Sequence, residues 1–205
     1  MVSISTATED SLEEITAIHC ICLKDDFITG LGKYFIRNVY YKCPLGSELG
    51  FGFVCRDRNK VVGFIIGSYD SAGLHKHYIR HYWHKISLCF LLRMITAPKS
   101  IGEVFSGLFI MKGKFPHSDA KAELLSLAVH PSYRGRHIAK QLVAAFKEQL
   151  KHSGIDKCFT MTHSPAAYKI YTNAGFKTTH SYKKKNKELR FLVCDIQEDH
   201  CENRT

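Results

Sequence analysis

The chain has no long uninterrupted apolar run. Its most apolar stretch, from Ile86 to Ala97, is interrupted by Arg93 and is shorter than the roughly 20 residues that cross a bilayer as a helix. The N-terminus also lacks a basic start followed by an apolar core, which is the pattern of a secretory signal. We therefore expect neither a transmembrane segment nor secretion, and we predict a cytoplasmic location.

The 8 cysteines lack the C-x-x-C spacing typical of zinc ribbons and thiol oxidoreductases. The closest groups of potential metal ligands are Cys20-x-Cys22, His75-x-His77 and His81-x-x-His84, and none of them makes a four-ligand set at finger-like spacing. We expect reduced, mostly buried thiols and no bound metal.

Acidic residues are outnumbered, with 19 Asp and Glu against 29 Lys and Arg, and the formal net charge is +10. This excess favours an anionic partner without distinguishing nucleotide, nucleic acid and membrane surface. The lysine-rich stretch 183–187 has no interleaved aromatic residues, so we predict a solvated hairpin turn and no nucleic-acid surface.

At 205 residues, with 45% hydrophobic and 23% charged residues, the chain has the composition of one globular domain. Strand-like and helix-like segments alternate along it, and no linker or internal repeat marks a boundary. These patterns predict an α/β (α+β) fold with a mixed, largely antiparallel sheet flanked by helices. We expect one domain over residues 1–196, a helical insertion at about 74–113 between strands 3 and 4, and a polar tail over 197–205.

The most informative segment runs from Ala122 to Leu150. It reads as an apolar strand, a proline-marked turn, the loop Arg134-Gly135-Arg136-His137, and an amphipathic helix from Ile138. Free backbone N–H groups at a helix N-terminus bind anions, and the helix dipole favours negative charge there. Glycine allows close backbone approach, and arginine can hold phosphate oxygens in a forked geometry. The segment therefore predicts a phosphate-binding loop.

With the later helix AAYKIYTNAGF, which ends in a Gly-Phe turn after Tyr171, the segment LAVHPSYRGRHIAKQL resembles the GNAT superfamily of acetyl-CoA-dependent N-acetyltransferases. The resemblance implies a GNAT-like twisted sheet and acetyl-CoA as co-substrate, with no metal. It implies that Tyr171 protonates the departing thiolate. Glu123 matches a glutamate that is the general base in some members of the family, and a water chain is the alternative base. The resemblance also implies cofactor-binding positions in the strand and loop: Leu127, Ala128, Val129, Arg134, Gly135, Arg136, His137, Ile138 and Ala139.

Two positions depart from the family pattern. Ser132 stands where the family usually has Gln or Arg, and His137 stands where it has Gly or Ala. His137 places a bulky ring close to the predicted pyrophosphate site, where it can crowd the phosphate or donate a hydrogen bond to it. We expect the site to survive, because the loop binds mainly through backbone N–H groups.

The insertion carries an apolar stripe of Ile79, Trp83, Ile86 and Phe90 beside basic residues. We rank three interpretations in this order: a face packed on the sheet, a cover over the acceptor cleft that favours an anionic acceptor, and a contact with an anionic membrane surface.

The resemblance and the residues together predict an acyltransferase. It would move acetyl from acetyl-CoA to a primary amine of a small molecule, such as an amino sugar or sugar nucleotide, by direct attack in a ternary complex. The alternatives are acetylation of a protein N-terminus or lysine, and a non-catalytic CoA- or membrane-binding module on the same fold. We expect a monomer or homodimer.

Overall fold

Seven strands form one sheet in the computed structural model, which describes residues 2–24, 26–96, 119–184 and 187–196. The strands are β1 (Val2–Thr6), β2 (Gly50–Asp57), β3 (Lys60–Ser68), β4 (Ala122–Val129), β5 (Lys157–Thr162), β6 (Lys177–Lys184) and β7 (Lys187–Asp195). Their order across the sheet is β1-β2-β3-β4-β5-β7-β6. Neighbours are antiparallel except β4 and β5, which run parallel. The predicted mixed, largely antiparallel sheet is confirmed.

Helices cover both faces of the sheet. They are α1 (Leu12–Cys22), α2 (Phe27–Gly30), α3 (Lys33–Phe35), a π-helical segment (Ile36–Tyr41), α4 (Lys42–Leu45), α5 (Ser71–Thr96), α6 (Ile138–His152) and α7 (Pro165–Asn173). α6 crosses from β4 to β5, as a parallel connection requires. Its buried residues Leu142, Phe146 and Leu150 recur at helical spacing and enter the core cluster on one sheet face. On the other face, Ile15 and Ile18 of α1 pack in a second cluster.

Local sequence sets the ends of the two helices nearest the predicted loop. At the start of α7 the Ser164 side chain accepts a hydrogen bond from the backbone N–H of Ala167, and Pro165 occupies the first turn. Just beyond the C-terminus of α6, Gly154 adopts φ +68°, which costs glycine little.

The helical insertion between β3 and β4 is α5, which begins at Ser71. The rest of the predicted insertion, 97–113, and the predicted tail, 197–205, lie outside the described residues. Among those that are described, no helix has the length and apolarity needed to span a bilayer.

The predicted packing of α5 is wrong. Ile79 and Trp83 are 64% and 62% exposed, and of the predicted stripe only Phe90 is buried. The buried face includes Leu74 and Tyr78, and it packs mainly against the short helices between α1 and β2. The predicted stripe did not identify the buried face, because α5 carries apolar residues around most of its circumference and their spacing does not select one side.

The two faces of α5 should respond differently to truncation. Leu74→Ala should destabilise the fold by about 2–5 kcal/mol, because Leu74 is fully buried and its loss leaves a cavity. The matched variant Ile79→Ala should change the free energy of unfolding by no more than about 0.5 kcal/mol. Urea unfolding followed by circular dichroism measures both. Equal losses would contradict the observed packing.

Candidate active site

A cleft of about 1820 Å³ opens where β4 and β5 separate. The strands pair only at three positions, from Ala122 with Cys158 to Leu124 with Thr160. β4 then continues to Val129 without β5 beside it. A register shift against β3 leaves Leu125 opposite no partner, and such bulges bend a strand. The sheet therefore has an internal gap with one open strand edge.

The open edge of β4 offers backbone hydrogen-bonding groups to the cleft. His130 donates its backbone N–H to Val62 of β3, and residues along an antiparallel strand alternate between facing the partner and facing away. Leu127 and Val129 therefore direct their backbone groups toward the gap, whereas Ala128 directs its own toward β3. The Cys22 thiol donates to the Val129 carbonyl at 3.3 Å, which agrees with this alternation.

The loop between β4 and α6 borders the same cleft. Gly135 adopts φ +78°, and nothing lies within 4 Å of the position where a Cβ would stand. His137 is also left-handed, with φ +58°, and it immediately precedes α6. Helix geometry leaves the first backbone N–H groups of this 15-residue helix, those of Ile138 and Ala139 among them, without intrahelical partners. The loop thus has the open space and the donors that a pyrophosphate requires.

The two loop arginines differ in placement. Arg134 lines the cleft, near Cys22. Arg136 does not line it; its guanidinium lies over the Tyr133 ring, with 5.0 Å from Cζ to the ring centroid. Tyr133 in turn donates to Asp57 at 3.1 Å. Lys140, Lys147 and Lys151 of α6, which the sequence analysis did not single out, also line the cleft.

Tyr171 lies on the opposite wall, at the point where β4 and β5 part. Its side chain is buried, and its hydroxyl contacts Thr160, which donates to the Leu124 carbonyl at 2.9 Å. Burial raises the pKa of Tyr171 above its ordinary value, while the hydrogen bond with Thr160 acts in the opposite direction. The phenol is consequently protonated at neutral pH and can donate a proton.

Glu123 lies beneath the cleft and does not line it. It is buried, and the Ser71 hydroxyl donates a hydrogen bond to its Oε2. Burial raises the pKa of Glu123; the Ser71 hydrogen bond and the charge of His75 oppose that rise. A carboxyl group in this setting can hold a proton near neutral pH more readily than an exposed one.

The end of the cleft beyond Tyr171 is lined by Asp26, Leu125 and Ser126. The Tyr40 hydroxyl lies 3.5 Å from both the Leu125 carbonyl and the Ser126 Oγ. Neither Asp26 nor Tyr40 was predicted, because both belong to the segment between α1 and β2, whose sequence carries no motif. In the described part of the chain, no group of three or more His, Cys, Asp or Glu side chains is placed to hold a metal ion.

An open strand edge, a loop with free backbone N–H groups and a buried phenol thus lie along one cleft. Comparison with known proteins finds a similar domain and similar folds. Residues 99–178 match the family model described as acetyltransferase (GNAT) domain. None of the curated proteins compared matches the chain.

Solved structures share the fold over nearly the whole chain. The ribosomal-protein-S18-alanine N-acetyltransferase from Escherichia coli has a TM-score of 0.60 and 14% identity, covering 100% of this chain and 99% of that chain. The PaiA N-acetyltransferase from Thermoplasma acidophilum, in complex with coenzyme A, has a TM-score of 0.57 and 15% identity, covering 95% and 99%. The Drosophila melanogaster polyamine N-acetyltransferase has a TM-score of 0.56 and 13% identity, covering 95% and 100%.

Residues 99–178 are therefore similar to an acetyltransferase (GNAT) domain, and the chain shares its fold with solved N-acetyltransferases. The predicted fold is confirmed, and both comparisons agree with the predicted family and with the predicted acyltransferase class.

If the loop binds the CoA pyrophosphate, Gly135→Glu should abolish CoA binding measured by calorimetry, because a carboxylate at this position repels phosphate. Gly154→Glu is the matched control: it has a similar positive φ and equally open space, but lies outside the cleft. The control should bind CoA normally. Equal binding by both variants would refute the assigned loop.

Proposed function

We propose that the chain transfers the acetyl group of acetyl-CoA to a primary amine of a small molecule by direct attack in a ternary complex. The observation that carries this proposal is the shared cleft: the Tyr171 side chain and the open edge at Leu127 and Val129 face one gap, and the loop before α6 borders the same gap. We also propose that residues 1–196 act as one domain, because the sheet incorporates strands from both ends of that range.

The donor would lie along β4 in this proposal. The amides of its pantetheine arm would pair with the backbone groups that Leu127 and Val129 direct toward the gap, and its pyrophosphate would meet the N–H groups from Arg134 to Ala139. Ala128 would contribute through its position on the strand, since its backbone groups face β3. His137 supports the assignment, because its exposed ring stands beside the loop and its left-handed backbone leaves the N-terminus of α6 open.

The reaction forms one C–N bond and breaks one C–S bond. The neutral amine attacks the thioester carbonyl carbon, and the resulting oxyanion would accept a hydrogen bond from a strand N–H near Val129. When the tetrahedral intermediate collapses, the CoA sulfur takes the proton of the Tyr171 hydroxyl. The nitrogen of the neutral amine loses one proton to Glu123 through water as the C–N bond forms, and the Tyr171 phenolate regains a proton from solvent before the next turnover.

We propose that the acceptor is a small primary amine, and amino sugars and sugar nucleotides are the first candidates. The basic residues of the insertion favour an anionic acceptor. In the described part of α5, Lys76 and Arg80 are exposed and do not line the cleft, whereas Asp26 does. Cationic amines therefore belong in the same test, and the name of the Drosophila enzyme points to polyamines for that protein.

Protein amines form the alternative acceptor class. The Escherichia coli structure is named for acetylation of an alanine of a ribosomal protein. An experiment that includes peptides therefore separates the two classes.

Purified protein with acetyl-CoA should release free CoA thiol when the right amine is added. The panel should contain glucosamine, a nucleoside-diphosphate amino sugar, agmatine, spermidine and a peptide with N-terminal alanine. Turnover with a small amine and none with the peptide would support the proposal. Turnover with the peptide alone would replace it with the alternative, and no release with any amine, despite CoA binding, would favour a non-catalytic module.

Tyr171→Phe should lower kcat by about 10²–10⁴-fold with a smaller change in KM, because it removes a proton donor without removing the ring. Tyr168→Phe on the same helix is the control, since Tyr168 does not line the cleft and its hydroxyl contacts Thr178 at 3.4 Å. Steady-state kinetics with an accepted amine measure both. Unchanged turnover by Tyr171→Phe would remove Tyr171 from the mechanism.

A further inference from the structure

The second half of α5 exposes a continuous apolar stripe. Its members occupy the i, i+3, i+4 and i+7 positions of the helix, and each is more than half exposed: Leu88, Leu91, Leu92 and Ile95. Side chains at this spacing are neighbours on one surface of a helix. Single exposed apolar residues are ordinary, whereas contiguous ones mark an interaction surface. The stripe is therefore a candidate interaction surface.

The stripe lies on the side of α5 that points away from the protein. Tyr78 and Cys89 are buried and stand 11 positions apart, which is about three turns, so they mark the packed side of the helix. Arg80 follows Tyr78 by two positions, which places it about 200° around the axis, on the opposite side. Leu91 stands 11 positions after Arg80 and projects in nearly the same direction.

The same helix is positively charged. Over its 26 residues α5 contains Lys and Arg but no Asp or Glu. Two of its cationic side chains contact the protein: Arg93 lies against α2, and Lys85 lies over the Tyr82 ring, with 5.6 Å from Nζ to the ring centroid. The other two, Lys76 and Arg80, are exposed and precede the stripe. The outward side of α5 is thus basic in its first half and apolar in its second.

Trp83 stands between these two halves and is exposed. An indole ring combines a large apolar body with one N–H donor, so it suits a boundary between apolar and polar surroundings. Tryptophan is accordingly enriched where proteins meet the membrane–water interface. The order along the helix is therefore basic side chains, an indole and an apolar stripe.

We propose that the outward side of α5, formed by Lys76, Arg80, Trp83 and the stripe, binds an anionic lipid membrane surface. The stripe would enter the boundary between headgroups and acyl chains, and the two cationic side chains would contact lipid phosphates. Helices that lie at such interfaces combine basic residues with Trp, Leu and Phe side chains. The proposal does not depend on the acceptor or on the mechanism of acetyl transfer.

Charge favours a lipid surface over a second copy of the chain. A two-fold dimer through this side of α5 would place two helices of the same sign together, because the same surface is used by both copies. α5 offers no acidic side chain to pair with Lys76 or Arg80. An anionic membrane supplies that negative charge, and it accepts a convex apolar ridge without a complementary groove.

Co-sedimentation of the full chain with lipid vesicles tests the proposal. The protein should bind vesicles of equal parts phosphatidylcholine and phosphatidylglycerol, and it should bind vesicles of phosphatidylcholine alone at least about tenfold more weakly. Binding to the mixed vesicles should weaken as salt is added, because salt screens the attraction. Absence of binding to the mixed vesicles at low salt would overturn the proposal.

Two variants separate the apolar and the electrostatic contributions. Leu91→Gln should weaken binding to the mixed vesicles by at least about tenfold, because the leucine side chain no longer enters the apolar boundary. Arg80→Gln should weaken it by about fivefold and should reduce its salt dependence. Both variants should keep the thermal unfolding midpoint of the wild type, since both side chains are exposed.

Ile21→Gln and Lys169→Gln are the matched controls. Ile21 is an exposed apolar residue of α1, and Lys169 is an exposed lysine of α7. Both controls should bind the mixed vesicles as the wild type does. If they weaken binding as much as the α5 variants do, the assignment of the surface to α5 is wrong.

Two other results would replace the lipid by a different occupant. A dimer in sedimentation equilibrium that Leu91→Gln dissociates, together with no vesicle binding, would assign the stripe to a second copy. A lower unfolding midpoint in Leu91→Gln, again without vesicle binding by the wild type, would show that the chain itself covers the stripe. Either result contradicts the proposal.

Discussion

The candidate site depends on one interruption of hydrogen bonding. β4 and β5 pair over three residues and then separate, so the following part of β4 keeps unpaired backbone groups inside the sheet. A buried backbone group that lacks a hydrogen-bond partner costs free energy, so a ligand that supplies the missing partner binds favourably there. The β4 bulge at Leu125, the Tyr171–Thr160–Leu124 contacts and the loop before α6 all lie around this gap. In the proposed function, this gap would receive the extended thioester and would place its reactive end beside Tyr171.

Charge is unevenly distributed along the cleft. Arg134 and, in the first turn of α6, Lys140 line the cleft beside the loop, and Asp26 lines it as well. A donor with phosphates at one end and a neutral thioester at the other matches the part beside the loop. The Tyr40 and Ser126 hydroxyls offer hydrogen bonds to an acceptor without imposing a charge. We propose that the segment between α1 and β2, which carries Asp26 and Tyr40, selects the acceptor.

The inserted helix has a role beyond packing. Its buried face packs against the short helices that carry Tyr40, and its first turn contacts Glu123. Insertions usually lie at the periphery of a fold, but this one begins directly after β3, beside the start of β4. A change in the position of α5 would consequently alter the environment of the proposed base and the acceptor wall together.

Several features could be read from the sequence because they depend on local spacing. The strand before the turn, the glycine of the loop, the amphipathic α6 and the Ser164-Pro165 helix start all follow from residues within one or two turns of each other. The same stretch predicts a phosphate-binding loop, and the family resemblance adds acetyl-CoA as the expected donor. Glu123 and Tyr171 could be named only through the family resemblance, since nothing in their neighbours marks a buried acid or phenol.

The sequence by itself determined the order of the elements, and it predicted the anion-binding loop and, through the family resemblance, the donor. Tertiary structure decided which face of α5 is buried, where Asp26 and Tyr40 lie, and that Ser71 contacts Glu123 across 52 residues of chain. The physical reason is the separation along the chain over which each interaction acts. Helix periodicity and capping act between near neighbours, whereas burial and the pKa of Glu123 depend on side chains that only the folded sheet and its inserted helix bring together.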